Sequence, residues 1–339
     1  MAKAKKSTIP PFNLTSPILS RVADIAHVLG RWSASDPATS DLWLRKVNRI
    51  RTIRGSLAIE GNTLTEDQMT AIMDGQPVVA PPREIQEVRN AILAYERFER
   101  WNAYSRTDML TAHGILMAGL LDRPGSFRSG GVGVMARNTV VHMAPPASRV
   151  PDLMDDLFNW IKTTDVHPLI ISSVFHYEFE FIHPFTDGNG RMGRLWQTLI
   201  LARWNPVFAH VPVESIVHKH QTVYYDALNT STLDGESSSF IEFMLDRIFE
   251  AVQDLFTPEV APDVTPEVRK LIFIIDGEMT RQEIQQKLGL KDEKHFRTAY
   301  QQPAISAGLI EMTVPDKPRS RLQKYRITLK GRTFVKESL

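Results

Sequence analysis

The sequence contains no cysteine. That absence removes disulfides, thiolate nucleophiles and Cys-ligated zinc together. Long apolar runs are missing as well: IISSVF and LWQTLILARW are cut short by polar residues, well below the ~20 residues that span a bilayer, so no membrane partner is expected. An excess of either charge is also missing. The chain carries 40 Lys plus Arg against 39 Asp plus Glu, a formal net charge of +1, so any hold on nucleic acid or an anionic surface has to come from a local patch. No apolar stretch of signal-peptide length follows Lys3, Lys5 and Lys6, which makes a cytoplasmic location the expectation. Neither an internal repeat nor a low-complexity tract interrupts the pattern.

What is present is enough for a core. The 339 residues are 42% hydrophobic and 23% charged, the balance of a globular chain of about two domains. Apolar residues three and four apart at Leu42, Leu44, Val47, Ile50, Ile53, Leu57 and Ala58 predict an amphipathic helix over about 41–60, stopped by Gly61 and Asn62. Further helices are predicted at 65–74, 83–104, 107–120, 150–163, 168–181, 191–203, 216–230 and 238–255, with a small hairpin between 123 and 143 where turn residues surround short β-branched runs. A linker with Pro258, Pro262 and Pro266 precedes a tail of different charge. Residues 258–339 hold 15 Lys or Arg and 11 Asp or Glu, a net of +4, against a net of −3 for the rest. The expected organisation is an N-terminal helical region over 1–105, a core over 106–257 and a basic module over 258–339.

Residues 181–196, FIHPFTDGNGRMGRLW, carry the chemistry. An apolar helix ends at His183-Pro184, and a Gly188-Asn189-Gly190 turn opens a second one. Unpaired N–H groups and the positive dipole end at such a helix start make an anion site. Arg191 and Arg194, three apart, share a face beside it. Two cations there oppose the dipole, which points to an anionic ligand. Asp187 offers a hard oxygen of the kind that, with substrate phosphates, holds Mg²⁺, and His183 can accept a proton near neutrality. Each residue alone has an ordinary structural reading; all eight specified positions together recur by chance at roughly 10⁻¹⁰ per start.

The run fits H-x-F-x-[D/E]-G-N-G-R-x-x-R and so resembles the signature of Fic-domain proteins. The resemblance implies a mainly α fold: a Fic-type helical bundle with a β-hairpin flap, followed here by a winged-helix domain. It also implies Mg²⁺-dependent transfer of AMP from ATP to Ser, Thr or Tyr hydroxyls of a target protein, or of the chain itself. In that reading His183 is the general base, Asp187 holds Mg²⁺, Gly188, Asn189 and Gly190 cradle the α-phosphate, and Arg191 and Arg194 grip the outer phosphates. Gly125-Ser-Phe-Arg128 and the hairpin resemble the family's flap, which aligns a target peptide by strand addition. Tyr224-Tyr225-x-x-Leu228 is similar to the segment beside the adenine, although Thr232 stands where many relatives have Asn.

Ser56-Leu-Ala-Ile-Glu60-Gly61 resembles the family's inhibitory motif. A Glu60 carboxylate paired with Arg194 would occupy the γ-phosphate space, so the enzyme is expected to be autoinhibited. Removal of AMP with Glu60 orienting water, and a nucleotide-sensing DNA-binding regulator, are the alternatives. The tail resembles a winged helix-turn-helix module, with Arg319, Arg321, Lys324, Arg326, Lys330 and Arg332 in its wing and Lys294, His295 and Arg297 on a helix over 292–308. Its partner is read as DNA or, equally, as protein, a second copy in a homodimer included.

Overall fold

A computed structural model describes residues 9–33, 42–136, 139–256, 265–314, 320–328, 331–332 and 334–335. The chain divides into two compact units, Met1–Gln253 and Asp254–Leu339. Helices dominate the first: α1 (Ser16–Ser33), α2 (Leu42–Ile59), α3 (Glu66–Met73), α4 (Pro82–Glu96), α5 (Arg106–Leu116), α6 (Val150–Thr163), α7 (Pro168–Ile182), α8 (Asn189–Trp204), α9 (Val213–Lys219), α10 (Gln221–Asp234) and α11 (Ser238–Phe256). Between α5 and α6 lie the antiparallel strands β1 (Gly133–Ala136) and β2 (Thr139–Met143), with a bulge after Val134.

α7 is apolar on nearly every face, a pattern suited to a central helix, and α8 is buried along most of its length together with its polar Arg191, Arg194, Gln197 and Thr198. They pack on each other at the heart of the unit, where Leu169, Val174, Phe175 and Phe179 meet a core that includes Met192, Leu195, Trp196 and Leu199. The Trp196 indole N–H donates to the Ala103 carbonyl at 2.9 Å, so the ring is buried without losing its hydrogen bond. α2 lies against α9 so closely that a Cβ on Gly55 would come within 2.5 Å of the Ser215 backbone nitrogen. Ser215 Oγ donates to the Arg51 carbonyl at 2.7 Å, and Gln221 Nε2 donates to the Ile59 carbonyl at 2.9 Å. The C-terminal end of α2 is thereby anchored.

Local signals account for many of the boundaries. Thr65 caps α3 in a reciprocal capping box with Gln68. Two of the helices expected in this unit are broken in the structure. The helix expected over 83–104 ends at Glu96 and passes into a 3-10 turn, Phe98–Arg100. The one expected over 216–230 is two helices, parted at His220. α1 stands outside the helices predicted above, although its buried residues Ile18, Ile25 and Leu29 recur seven and four apart, as on one face of a helix.

The second unit holds α12 (Pro266–Ile274), β3 (Met279–Thr280), α13 (Arg281–Leu288), α14 (Glu293–His295), α15 (Gln302–Ser306), β4 (Ile310–Met312) and β5 (Lys324–Ile327). Its sheet is antiparallel in the order β3-β5-β4. Val268, Leu271, Ile272, Ile284, Phe296, Leu309 and Tyr325 belong to its own core. The helix expected over 292–308 is interrupted by a π-helical turn, Phe296–Gln301. Pro303 cannot donate to the preceding turn, and the widened register accommodates it.

Candidate active site

The turn between α7 and α8 is built from the motif itself. His183 caps α7 with φ 50° and ψ 60°, the non-glycine residue with positive φ among the described residues, and its N–H still donates to Phe179 at 2.9 Å. A residue before proline is pushed out of the right-handed helical region, and a left-handed non-glycine conformation is a form of stored backbone strain. The Asn189 side chain staples the turn shut: its Nδ2 donates to the Phe185 carbonyl and its Oδ1 accepts from the Phe185 N–H, both at 2.9 Å. With its side chain engaged in this way, Asn189 presents its backbone N–H at the start of α8. Gly188, at φ 84°, opens α8.

Arg194 is buried to 2% exposure in the second turn of α8. Its Nη2 donates to Glu60 Oε1 at 2.7 Å and to the Ser56 carbonyl at 2.9 Å, and its Nε donates to Ser56 Oγ at 3.1 Å. The pairing with Glu60 is through a single nitrogen, with Ser56 taking the second side of the guanidinium. Burial works against the Arg194 cation, and the adjacent Glu60 carboxylate holds its pKa above the ordinary value. A Cβ on Gly190 would overlap Glu60 Oε1, so the carboxylate lies on the first turn of α8, where backbone N–H groups attract anions.

Arg191, buried to 4%, lies 3.2 Å from Asp187 Oδ1 and 3.5 Å from Glu87 Oε1. The two cations that oppose the α8 dipole are thus both met by the chain's own carboxylates. Arg83 Nη2 reaches Asp187 Oδ2 at 3.4 Å. Asp187 keeps 40% of its side chain exposed. Among the described residues no three His, Asp or Glu gather as a protein-only cage. A lone hard carboxylate fits a Mg²⁺ that shares its ligands with a nucleotide's phosphates.

Residues that the motif did not announce support this turn. His113 accepts the Gly125 N–H on Nδ1 at 2.8 Å, so its Nε2 carries the proton and donates to the Asp187 carbonyl at 3.0 Å. The ring stacks on Phe185, centroids 3.6 Å apart, and burial pulls its pKa down to about 4. Glu180 and Glu214 are acids that burial pushes up to about 8 and about 7. His113 is legible in retrospect as an ionisable residue among the buried Met109, Ala112 and Leu116 of α5. Glu87 and Glu214 carry no comparable signal.

Tyr224 is 1% exposed, and its hydroxyl lies 3.1 Å from Nε2 of the buried His176, whose Nδ1 faces Gln197 Oε1 at 2.6 Å. Tyr225, 43% exposed, is the open member of the pair. In the second unit Arg321, Lys324, Lys294, His295 and Arg297 are exposed. Arg326 is paired with Glu311 and Glu278 at 2.5 and 3.4 Å. Arg319 and Lys330 lie outside the described residues.

Comparison with known proteins follows the same two parts. The Fic/DOC family pattern matches residues 103–201, and the pattern "Filamentation induced by cAMP protein Fic-like, C-terminal domain" matches residues 266–328. The crystal structure of a Fic family protein from Desulfovibrio desulfuricans G20 is 49% identical, with a TM-score of 0.71, covering 96% of this chain and 99% of that one. "Protein adenylyltransferase Fic" of Aedes aegypti is 29% identical over 254 residues, 68% of this chain, and this chain spans about half that protein's length, 48%. Fic-1 (residues 134–508) of C. elegans is 22% identical with a TM-score of 0.58, over 70% of this chain and 73% of that one, a likeness of fold.

Proposed function

The chain belongs to the Fic family, and from that premise we propose that its first unit transfers AMP from ATP to a Ser, Thr or Tyr hydroxyl of a protein, itself included, with Glu60 as the restraint. The observation that carries the reading is the Glu60 carboxylate resting on the first turn of α8 with Arg194 at 2.7 Å. An anion already sits where the helix start and a buried guanidinium would receive a phosphate.

In this reading the target hydroxyl oxygen forms a bond to the α-phosphorus while His183 takes its proton. The bond from that phosphorus to the bridging oxygen breaks, and pyrophosphate leaves with the electron pair. The backbone amides of Gly188, Asn189 and Gly190 cradle the α-phosphate, and Arg191 and Arg194 hold the outer phosphates once their own carboxylates yield. Mg²⁺, held by Asp187 and the phosphates, would neutralise charge on the leaving group. Tyr225 borders the base, with Tyr224 behind it in the core. The β1–β2 hairpin offers an edge to which a target peptide adds as a strand.

The test is transfer of labelled AMP from ATP and Mg²⁺ to protein, followed by mass spectrometry, with the full chain and with Glu60→Gly. Faster labelling by the variant supports the reading. No labelling by either protein, or equal labelling, would overturn it.

A further inference from the structure

Arg128 is 5% exposed, and every hydrogen bond its side chain makes among the described residues goes to a main-chain carbonyl. Nε donates to His183 at 2.7 Å, Nη1 to Gly130 at 2.8 Å, and Nη2 to Pro145 at 2.5 Å and Ile182 at 3.3 Å. Its own backbone N–H donates to the Pro184 carbonyl at 2.9 Å. A guanidinium is costly to bury, and the charge has a purpose here. Ile182 and His183 present the last carbonyls of α7, the negative end of that helix, which a cation complements.

The other two carbonyls stand at the two feet of the hairpin: Gly130 precedes β1 and Pro145 follows β2. Ala144 N–H donates to the Val132 carbonyl at 3.2 Å and closes the hairpin base. One rigid, planar fork therefore joins three pieces of chain: the strained His183 turn, the entry to the hairpin and its exit. For the transfer proposed above, a target hydroxyl has to lie within about 3–3.5 Å of its reaction partners. The peptide that carries it would be registered by the hairpin, and its proton acceptor by the turn.

We infer that Arg128 is a positioning residue: it sets the hairpin that registers a target peptide against the His183 turn. The inference rests on the AMP-transfer reading for its catalytic consequence, and on geometry alone for the clamp. Lysine keeps the charge but concentrates its donors on one atom and cannot span the same carbonyls.

The experiment compares the full-length Glu60→Gly protein with the same protein carrying Arg128→Gln or Arg128→Lys. It measures self-modification by ATP and amide hydrogen exchange without nucleotide. Both substitutions are expected to lower kcat about 10²-fold, to leave the KM for ATP within about threefold, and to quicken exchange at the Ala144 and His183 amides while the α8 core stays protected. Unchanged kcat, a loss shared equally with KM, full recovery by lysine, loss of α8 protection, or unaltered exchange at those two amides each overturns the inference. If the Glu60→Gly parent transfers no AMP, it is the transfer reading that fails. The exchange comparison then decides the clamp by itself: local quickening upholds it, and its absence overturns it.

Discussion

The Glu60 carboxylate rests where a side chain on residue 190 would begin: a Cβ on Gly190 would overlap Glu60 Oε1 and lie 2.9 Å from Arg194 Nη1. Glycine at this position keeps the start of α8 open to an anion, whether that anion is the chain's own or a ligand's. Gly190→Ala in a Glu60→Gly background is therefore expected to weaken ATP binding at least tenfold, because the methyl group occupies the volume the phosphate needs. Calorimetric titration with ATP checks this, and undiminished affinity would show that nucleotide does not use this turn.

Removing Glu60 should exchange stability for activity. Arg194 is 2% exposed, and Glu60→Gly leaves it with Ser56 as its remaining hydrogen-bond partner on α2. Breaking a buried ion pair is costly, but the Glu60 side chain is 32% exposed, so the loss is discounted to about 1–2 kcal/mol, or about 2–8 °C in Tm. AMP transfer is expected to rise in the same variant. A Tm unchanged within 1 °C, about the precision of such a scan, would mean that the pair contributes nothing to the fold.

His183→Ala is expected to lower transfer about 10²–10⁴-fold, the usual contribution of a general base, with ATP affinity within a few-fold of the parent. Initial rates and equilibrium binding measured side by side check both halves. Activity within a few-fold of the parent would remove His183 from its proposed role.

Stability should fall on both sides of a broad maximum. Glu180 and Glu214, pushed up to about 8 and 7 by burial, favour the fold fully below the ordinary carboxyl value of 4.5, and that contribution is lost as pH rises through 7–8. His113 and His176, pulled down by burial to about 4 and 3 from 6.5, act in the opposite sense. Their contribution is full above 6.5 and is lost as pH falls toward those values. Thermal scans should show Tm declining between pH 6.5 and 8.5 and again below 4.5. Glu214→Gln should flatten the alkaline decline by about 2–4 °C, the effect of about 1 kcal/mol. An identical alkaline slope in this variant would count against Glu214 as a source.

The sequence by itself determined whatever depends on near neighbours. The apolar faces of α7 made it a central helix, the Thr65–Gln68 capping box started α3, and the contiguous HPFTDGNGR run carried all the parts of its own turn, with Phe185 and Asn189 only four residues apart. Tertiary structure alone decided what faces that turn. Glu60 reaches Arg194 from 134 residues away, Glu87 reaches Arg191 from a different helix, and His113 and Arg128 hold backbone carbonyls of the turn. A resemblance could nominate Glu60, but Glu87 and Glu214 stayed silent in the sequence. The physical reason is that period, caps and turn residues act through bonds a few residues long, whereas a carboxylate's partner is set by how α2, α4 and α9 pack around α8. That packing is a property of the whole core, and no local segment of the chain contains it.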